Sequence, residues 1–411
     1  MINLNLLNYH MILKMLKEIL KSFIYGLPIK MKNYILLESI PTYSDNTKNV
    51  FLEMINRNIN QKYKMIWITD EDTSKFSKIK YDNVYFINKN KINKMKLFYL
   101  RLHAKIIIDN NQYIIKLNKG QLKIHLTHGM PLKATDQYCR KIGKVDYITA
   151  NSDFFKKELS KLFNIDEKCI LITGSARNDN IIKNNKILFP EFKRKKTIIW
   201  MPTYRNHKKT DSYEGRTNIK FKYGIPCVSS KEELLKLNNI LKKNEELLII
   251  KLHPQEDRKD IKKLELSNIK LLDNNYFEYD ESIYDYLSSV DALITDYSTI
   301  YYDFLLTNKM IGLAIPDFKE YSKHVRLATK NYKKDIVGEY IYSFADLEKF
   351  VYNVANNIDD NLEGRMKANE LYNKYHDGNS AKRIVDYIEE KMKGNKSEKK
   401  WNKIWCYNRI Y

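Results

Sequence analysis

The chain has 411 residues, 43% of them hydrophobic, and a formal net charge of +22. That is enough chain for two domains with cores of their own, too apolar for a disordered protein, and basic enough to suit nucleic acid, an anionic membrane or phosphate-rich substrates. Cys139, Cys169, Cys227 and Cys406 show no CxxC spacing, which argues against a structural zinc site or a disulfide framework and fits a reducing cytoplasm. No apolar run is long enough to span a bilayer, and the N-terminus lacks the order of a signal peptide. Abundant lysine, asparagine, isoleucine and tyrosine also match an AT-rich coding bias, a plain source for much of the charge.

Within residues 1–32, "LLNYHMILKMLKEILKSFIYGL" sets apolar residues at helical spacing against Lys14, Lys17 and Lys21. This predicts an amphipathic helix, suited to an anionic membrane surface or to packing on its own protein. From Asn33 strands and helices alternate: strand "NYILLES", a helix in "PTYSDNTKNVFLEMINRNI", strands "YKMIWITDED" and "NVYFINKN", helix "KMKLFYLRLHA", then strands "KIIIDNN" and "KIHLTHG". A helix near "TDQYCRKI", strand "DYITANS", helix "SDFFKKELSKLF" and strand "CILITGS" complete the series. The short β-branched runs read as strands buried on both faces of a parallel sheet. "NNKILFPEFKRKK", with Pro190 and a basic run, reads as a linker. A second series follows: strand "TIIWMPTYR", helix "SKEELLKLNNILKKN", strand "ELLIIKLHP", helix "SIYDYLSSV", strand "DALITDYS" and helix "TIYYDFLLTN". Residues 363–393 read as helical, before a lysine-rich tail. The division is therefore 1–32, 33–188, 189–375 and 376–411: an amphipathic helix, two Rossmann-like α/β domains facing each other across a cleft, and a closing helix with a basic tail.

Ligands of open α/β sheets bind beyond the carboxyl ends of the strands. In "LTHGMP", Gly129 permits a sharp turn, leaving His128 at a strand end where an imidazole suits general-base work on a hydroxyl. A histidine that merely closes a loop is the commoner use of such a residue. "ITGSARND" offers backbone donors and Arg177 for an anion. His253 in "IIKLHPQ" also ends an apolar strand, and "MPTYRN" adds Thr203 and Arg205 at another. In "ALITDYSTIYYDF" a buried strand ends at Asp296, Ser298 and Thr299 stand at a helix start, and Asp303 follows. Those hydroxyls with the free N–H groups form an anion site, although an ordinary N-cap looks the same. No metal-ligand cluster and no cofactor motif is present, so phosphate charge falls to helix N-termini and basic side chains.

Read in order, "THGMPLK", "TGSARND", "MPTYR", "IKLHP" and "LITDYSTIYYDF" resemble the CDP-glycerol glycerophosphotransferase family of wall teichoic acid primases and polymerases and related capsule enzymes. The resemblance runs from "NYILLES" to "YHDGNSAKRIVDYI" and implies a GT-B fold, with the acceptor in the first half and CDP-glycerol in the second. It implies transfer of glycerol phosphate to a lipid-linked acceptor hydroxyl with release of CMP. His128 would be the base, and His253 would stabilise phosphate charge or assist proton transfer. Ser298 and Thr299 would hold the pyrophosphate, with Gly129, Arg177, Thr203, Arg205, Asp296 and Asp303 on the substrates. The implied partners are a CDP-polyol, a polyprenyl-linked acceptor and the inner face of the cytoplasmic membrane, with the enzyme peripheral on it. Thr127 stands where the family has tryptophan and Ala176 where it has proline; the family's aromatic, arginine-glycine and proline-rich sequence does not follow "IGLAIPDFKEYSKHVRL", a departure in loops that contact the polyol or acceptor and so one that bears on substrate identity more than on reaction type.

The nearest alternative is a GT-B transferase using a nucleotide sugar, which shares the fold and the strand-end histidines; a sugar-nucleotide epimerase lacks a matching acidic set here. A nucleic-acid binder predicts a basic stripe with interleaved aromatics, and only "KSEKKWNKIWCYNR" has that character.

Overall fold

The computed structural model describes residues 19–20, 22–110, 114–132, 144–205, 221–253, 259–273, 276–277, 281–325, 327–329 and 331–394. In the first half, β1 (Lys32–Glu38), β2 (Lys64–Thr69), β3 (Val84–Asn88), β4 (Ala104–Asp109), β5 (Leu122–His125), β6 (Tyr147–Ala150) and β7 (Ile170–Ile172) build a seven-stranded sheet in the order β3-β2-β1-β4-β5-β6-β7. In the second, β8 (Lys196–Trp200), β9 (Glu246–Ile250), β10 (Ile269–Leu271), β11 (Ala292–Thr295), β12 (Met310–Ala314) and β13 (Glu339–Ile341) build a six-stranded sheet in the order β10-β9-β8-β11-β12-β13. The strands pair in parallel, as in Leu36 against Ile66 and Ile107, or Ile199 against Ile249 and Leu293. Both sheets reverse their strand order beside their first strand, the arrangement that opens a crevice at the carboxyl ends.

The strands form where the sequence offers short β-branched runs, because both faces are covered. Every residue of β9 is buried, and Trp67 and Trp200 are wholly enclosed. One face of the first sheet packs Ile35, Leu37, Ile106 and Ile108 against Val50, Phe51 and Met54 of the helix Asp45–Asn56. The last helix, Ser380–Gly394, returns to this same core with Ala381, Ile384, Val385 and Ile388. Asp179 caps it from the first half, accepting the Ser380 and Ala381 N–H groups at 2.8 Å each. Gly174, at φ +80°, lies so close that an added Cβ would collide with Ser380 Oγ. Between the halves, the Phe155 and Tyr302 rings meet edge-on at 5.1 Å and Tyr372 adds a third ring 4.9 Å from Tyr302.

Several expectations change. "SIYDYLSSV" forms two 3-10 turns, Ile283–Asp285 and Leu287–Ser289, because Ser282 and Asp285 bond each other reciprocally and close the first turn tightly. The stretch 363–393 is two helices, Leu362–Tyr372 and Ser380–Gly394, parted where Asn373 turns its amide to the Tyr302 carbonyl and Asn151. β10, β12 and β13 were not foreseen; two of them have only three residues, too few for a period to show. Cys169 is disulfide-bonded, although the cysteine spacing argued against a disulfide framework. The helix predicted near "TDQYCRKI" and residues 1–18 also lie outside them. No described helix is long and apolar enough to cross a membrane.

At the strand-order reversal of the first sheet, Glu38 ends β1 beside Asp109, which ends β4. Lys123 Nζ at 3.3 Å neutralises Asp109, and His125 Nδ1 hydrogen-bonds to it at 2.7 Å. Glu38, 2% exposed, has Lys89 Nζ at 3.5 Å. Burial pushes its carboxyl up to about 7, with Lys89 opposing only in part. An acid whose pKa rises on folding stabilises the fold below its unfolded pKa and loses that contribution as pH climbs through the folded value. Glu38→Gln should therefore match the parent protein below about pH 4 and exceed its unfolding free energy near pH 8 by up to roughly 3 kcal/mol, read from denaturant curves at the two pH values. Parallel pH profiles for the two proteins would contradict this.

Candidate active site

His128 sits on the turn after β5, and the turn is strained. Thr127 adopts φ 56°, a region that β-branched residues avoid, and Gly129 follows at φ 90°. Asn46 holds this backbone in place: its Nδ2 donates to the Leu126 and Thr127 carbonyls at 3.3 and 3.1 Å. The result projects an imidazole that is 57% exposed at the lip of the cleft. Its Nδ1 bonds the Asp45 carboxylate, which is itself only 7% exposed.

Asp45 opens the helix Asp45–Asn56 and has a second partner. Arg177 Nη1 donates to both of its oxygens at 3.2 Å, while Arg177 Nη2 reaches Asp303 in the second half at 2.8 Å. Asn178 Nδ2 and Tyr284 Oη also donate to Asp303, at 2.9 and 3.0 Å. Burial pushes the Asp45 carboxyl up, but Arg177 and His128 outweigh it and hold the group well below the usual carboxylate range. Burial alone would lower the Arg177 pKa; Asp303 and Asp45 reverse that and raise it. Arg177 is thus a strut between two carboxylates. Gly129 lies against the same seam, where an added Cβ would be 2.7 Å from Thr299 Oγ1 and 2.8 Å from Arg177 Nη2. His128, Gly129, Arg177, Thr299 and Asp303, proposed separately from the sequence, meet here.

A second cluster occupies the strand-order reversal of the second sheet, where β8 and β11 lie side by side. Asp296 is fully buried and accepts the Thr203 N–H at 3.0 Å, the Thr203 hydroxyl at 2.6 Å and Arg205 Nη1 at 2.6 Å. Arg205 Nε continues to Asp317 at 2.7 Å. Asp296 and Arg205 therefore spend their charges on each other and Asp317, fixing the two loops together. Beyond Asp296, Thr299 is the N-cap of the one-turn helix Ile300–Phe304 and makes no capping bond with its side chain. A helix this short has little macrodipole, so the anion-holding character expected of Ser298 and Thr299 rests on their hydroxyls and local N–H groups more than on the helix behind them. His253, at the end of β9, is exposed and stacks on Tyr204 with ring centroids 5.1 Å apart. Through Tyr204 it packs on the loop that carries Thr203 and Arg205.

A family-wide sequence profile, described as CDP-Glycerol:Poly(glycerophosphate) glycerophosphotransferase, matches residues 19–390. The chain belongs to this family. It is 28% identical over 326 residues to the teichoic acid glycerol-phosphate primase of Bacillus subtilis (strain 168), spanning 73% of this chain and 77% of the primase. It is 24% identical over 400 residues to the teichoic acid poly(glycerol phosphate) polymerase of Bacillus spizizenii, spanning 89% and 94%. A structure of the wall teichoic acid polymerase TagF superposes with a TM-score of 0.70 at 19% identity, over 90% of this chain and 91% of that one. A UDP-GlcNAc 2-epimerase from Neisseria meningitidis superposes with a TM-score of 0.52 at 14% identity, over 88% of this chain and 100% of that one. Both superpositions concern the fold, which is of GT-B type. The enzyme is a CDP-glycerol glycerophosphotransferase of teichoic-acid type, a transferase.

The residues missed in this glycerophosphotransferase are Asp45, Asn46 and Tyr284. "YSDN" resembles any polar turn opening a helix, and its value lies in contacts more than 80 residues away, such as Asn46 to Thr127. Gly129→Ala tests the seam. The left-handed backbone alone costs about 1–2 kcal/mol for alanine, and its Cβ must displace Thr299 or Arg177. A drop of several degrees in Tm and at least a tenfold loss of kcat are expected; unchanged turnover would show that the seam tolerates a side chain.

Proposed function

We propose that His128 is the general base of this transferase and that the second-half loops hold the nucleotide. The observation that carries the reading is the exposed His128 imidazole next in sequence to Gly129, whose backbone passes against Thr299 of the opposite half. The acceptor hydroxyl attacks the β-phosphorus of CDP-glycerol in line and His128 takes its proton. The new O–P bond forms as the bond to the α-phosphate oxygen breaks and CMP leaves. Ser298 and Thr299 receive the charge that builds on the leaving group, and His253, on its exposed strand end, meets the phosphates from the β9 side. Positioning of the two substrates supplies part of the barrier reduction, out of the roughly 7–11 kcal/mol open to well-oriented reactants.

The acceptor end of the reading is a lipid-linked chain at the inner face of the cell membrane. Ile19, Leu20 and Phe23 are 60%, 58% and 66% exposed, and Met95, Phe98 and Tyr99 are exposed on the helix Lys94–His103 among lysines. Apolar side chains rimmed by lysine suit an anionic bilayer surface. The Asn118 amide holds this N-terminal segment to the first half through the Ile24 and Leu27 carbonyls at 3.3 and 2.9 Å.

The purified enzyme should release CMP from CDP-glycerol or another CDP-polyol when given a lipid-linked acceptor analogue, and His128→Ala should lower turnover at least about 10²-fold with its fold intact. UDP release from a UDP-sugar instead would move the protein among the sugar transferases, and near-normal turnover of His128→Ala would remove the base. Replacing Leu20 and Phe23 together by glutamate should cut sedimentation with phosphatidylglycerol vesicles several-fold while leaving transfer to a short soluble acceptor in place. Undiminished sedimentation would exclude this segment from the membrane contact.

A further inference from the structure

We infer that Asp45 is the positioning residue of His128, and that it is set in place by the seam between the two halves. The inference rests on His128 as the base. A carboxylate only accepts hydrogen bonds, so the hydrogen in the Asp45 contact belongs to the imidazole. Nδ1 carries the proton and Nε2 is the nitrogen left to act as base. An imidazole 57% exposed would otherwise turn freely about its side-chain bonds; a carboxylate 7% exposed removes that freedom.

Asp45 is in turn fixed from several sides. Its Oδ1 accepts the Asn46 N–H at 2.7 Å, and its backbone is held at φ 58°, a conformation that aspartate and asparagine adopt more readily than other side chains. Arg177 Nη1 spans both of its oxygens. The charged and titratable groups around the dyad are Arg177 on the turn Ala176–Asn178, Asp303 on the helix Ile300–Phe304 and Tyr284 on the turn Ile283–Asp285. Two of these elements belong to the second half. The carboxylate that orients the base is therefore neutralised by an arginine whose other partner lies across the cleft. Separating the halves would leave Arg177 with Asp45 alone, and the geometry at His128 would lose its support.

The chemistry balances without a further reactant. As the acceptor oxygen bonds to phosphorus, its proton passes to His128 Nε2, giving an imidazolium beside the Asp45 carboxylate. CMP takes the electrons of the broken P–O bond, and the proton on Nε2 leaves to solvent after release. Asp45 favours the imidazolium throughout and is never itself protonated.

Asp45→Asn is the decisive variant, since asparagine keeps the shape and tolerates the left-handed backbone. In the full chain, kcat should fall about 10–10²-fold with little change in the KM for CDP-glycerol. The acidic limb of the kcat/KM pH profile should move to lower pH, because the imidazolium loses its counter-charge. A role confined to folding would lower Tm or the active fraction and leave the limb where it was. Independently of that variant, ¹⁵N spectra of the histidine-labelled parent enzyme, assigned by comparison with His128→Ala, should show neutral His128 protonated at Nδ1. Turnover of Asp45→Asn within twofold of the parent with an unmoved limb would overturn the inference, and so would a His128 protonated at Nε2. If His128→Ala retains activity the base itself is wrong. If His128→Ala is inactive while Asp45→Asn behaves as the parent does, only the positioning role fails.

Discussion

Arg177 is a guanidinium 4% exposed, closed between Asp45 of the first half and Asp303 of the second. A buried charge is tolerable only while its partners are present; removing one member of such a pair costs about 3–5 kcal/mol. Its two sequence neighbours extend the joint. Asn178 donates to Asp303, and Asp179 caps the closing helix that packs on the first sheet. Asp285 adds to the seam by accepting from Asn180 and Asn184 at its two-turn corner. One short stretch thus ties the first half to the second and to the chain's last helix, and the approach of the two halves follows from it.

The same joint explains why a strained turn survives at the lip of the cleft. Thr127 gains nothing from a left-handed backbone, which costs a β-branched residue free energy. It stays there because the Asn46 amide spans two successive carbonyls, and Asn46 Oδ1 also accepts the Arg177 N–H at 2.9 Å. Gly129 can then pass within van der Waals range of Thr299, which no side chain would permit. Strain at the histidine turn and close approach of the halves are two aspects of one arrangement, with the exposed imidazole as its product.

The two sheets share an order of strands but treat their reversal points differently. In the second, Asp296, Thr203, Arg205 and Asp317 form a rigid floor beneath loops that reach the cleft. In the first, Glu38 and Asp109 are themselves buried among lysines and a histidine. A UDP-GlcNAc 2-epimerase shares this fold, so the fold does not choose the reaction. The loop residues do.

Residue type was enough for most strands of the parallel sheets, since runs such as "KIIID" and "ELLII" have the composition that burial on both faces requires. The five strand-end motifs were equally legible, and their order identified the family before any contact was known. Short strands such as β10 and β13 escaped because three residues carry no period, and "SIYDYLSSV" misled because side-chain bonds between Ser282 and Asp285 closed a turn that apolar spacing would have continued. What only the tertiary structure decided is the division of labour among the polar residues. Arg177, Arg205 and Asp296 looked like ligands for substrate charge, yet each is buried against protein partners. Asp45 looked like part of a helix start, yet it touches the histidine 83 residues away. Hydrophobic burial is set locally by residue type and spacing, so a sequence displays it. Whether a charge meets a substrate or another side chain depends on which distant segments fold against it, and no local pattern records that.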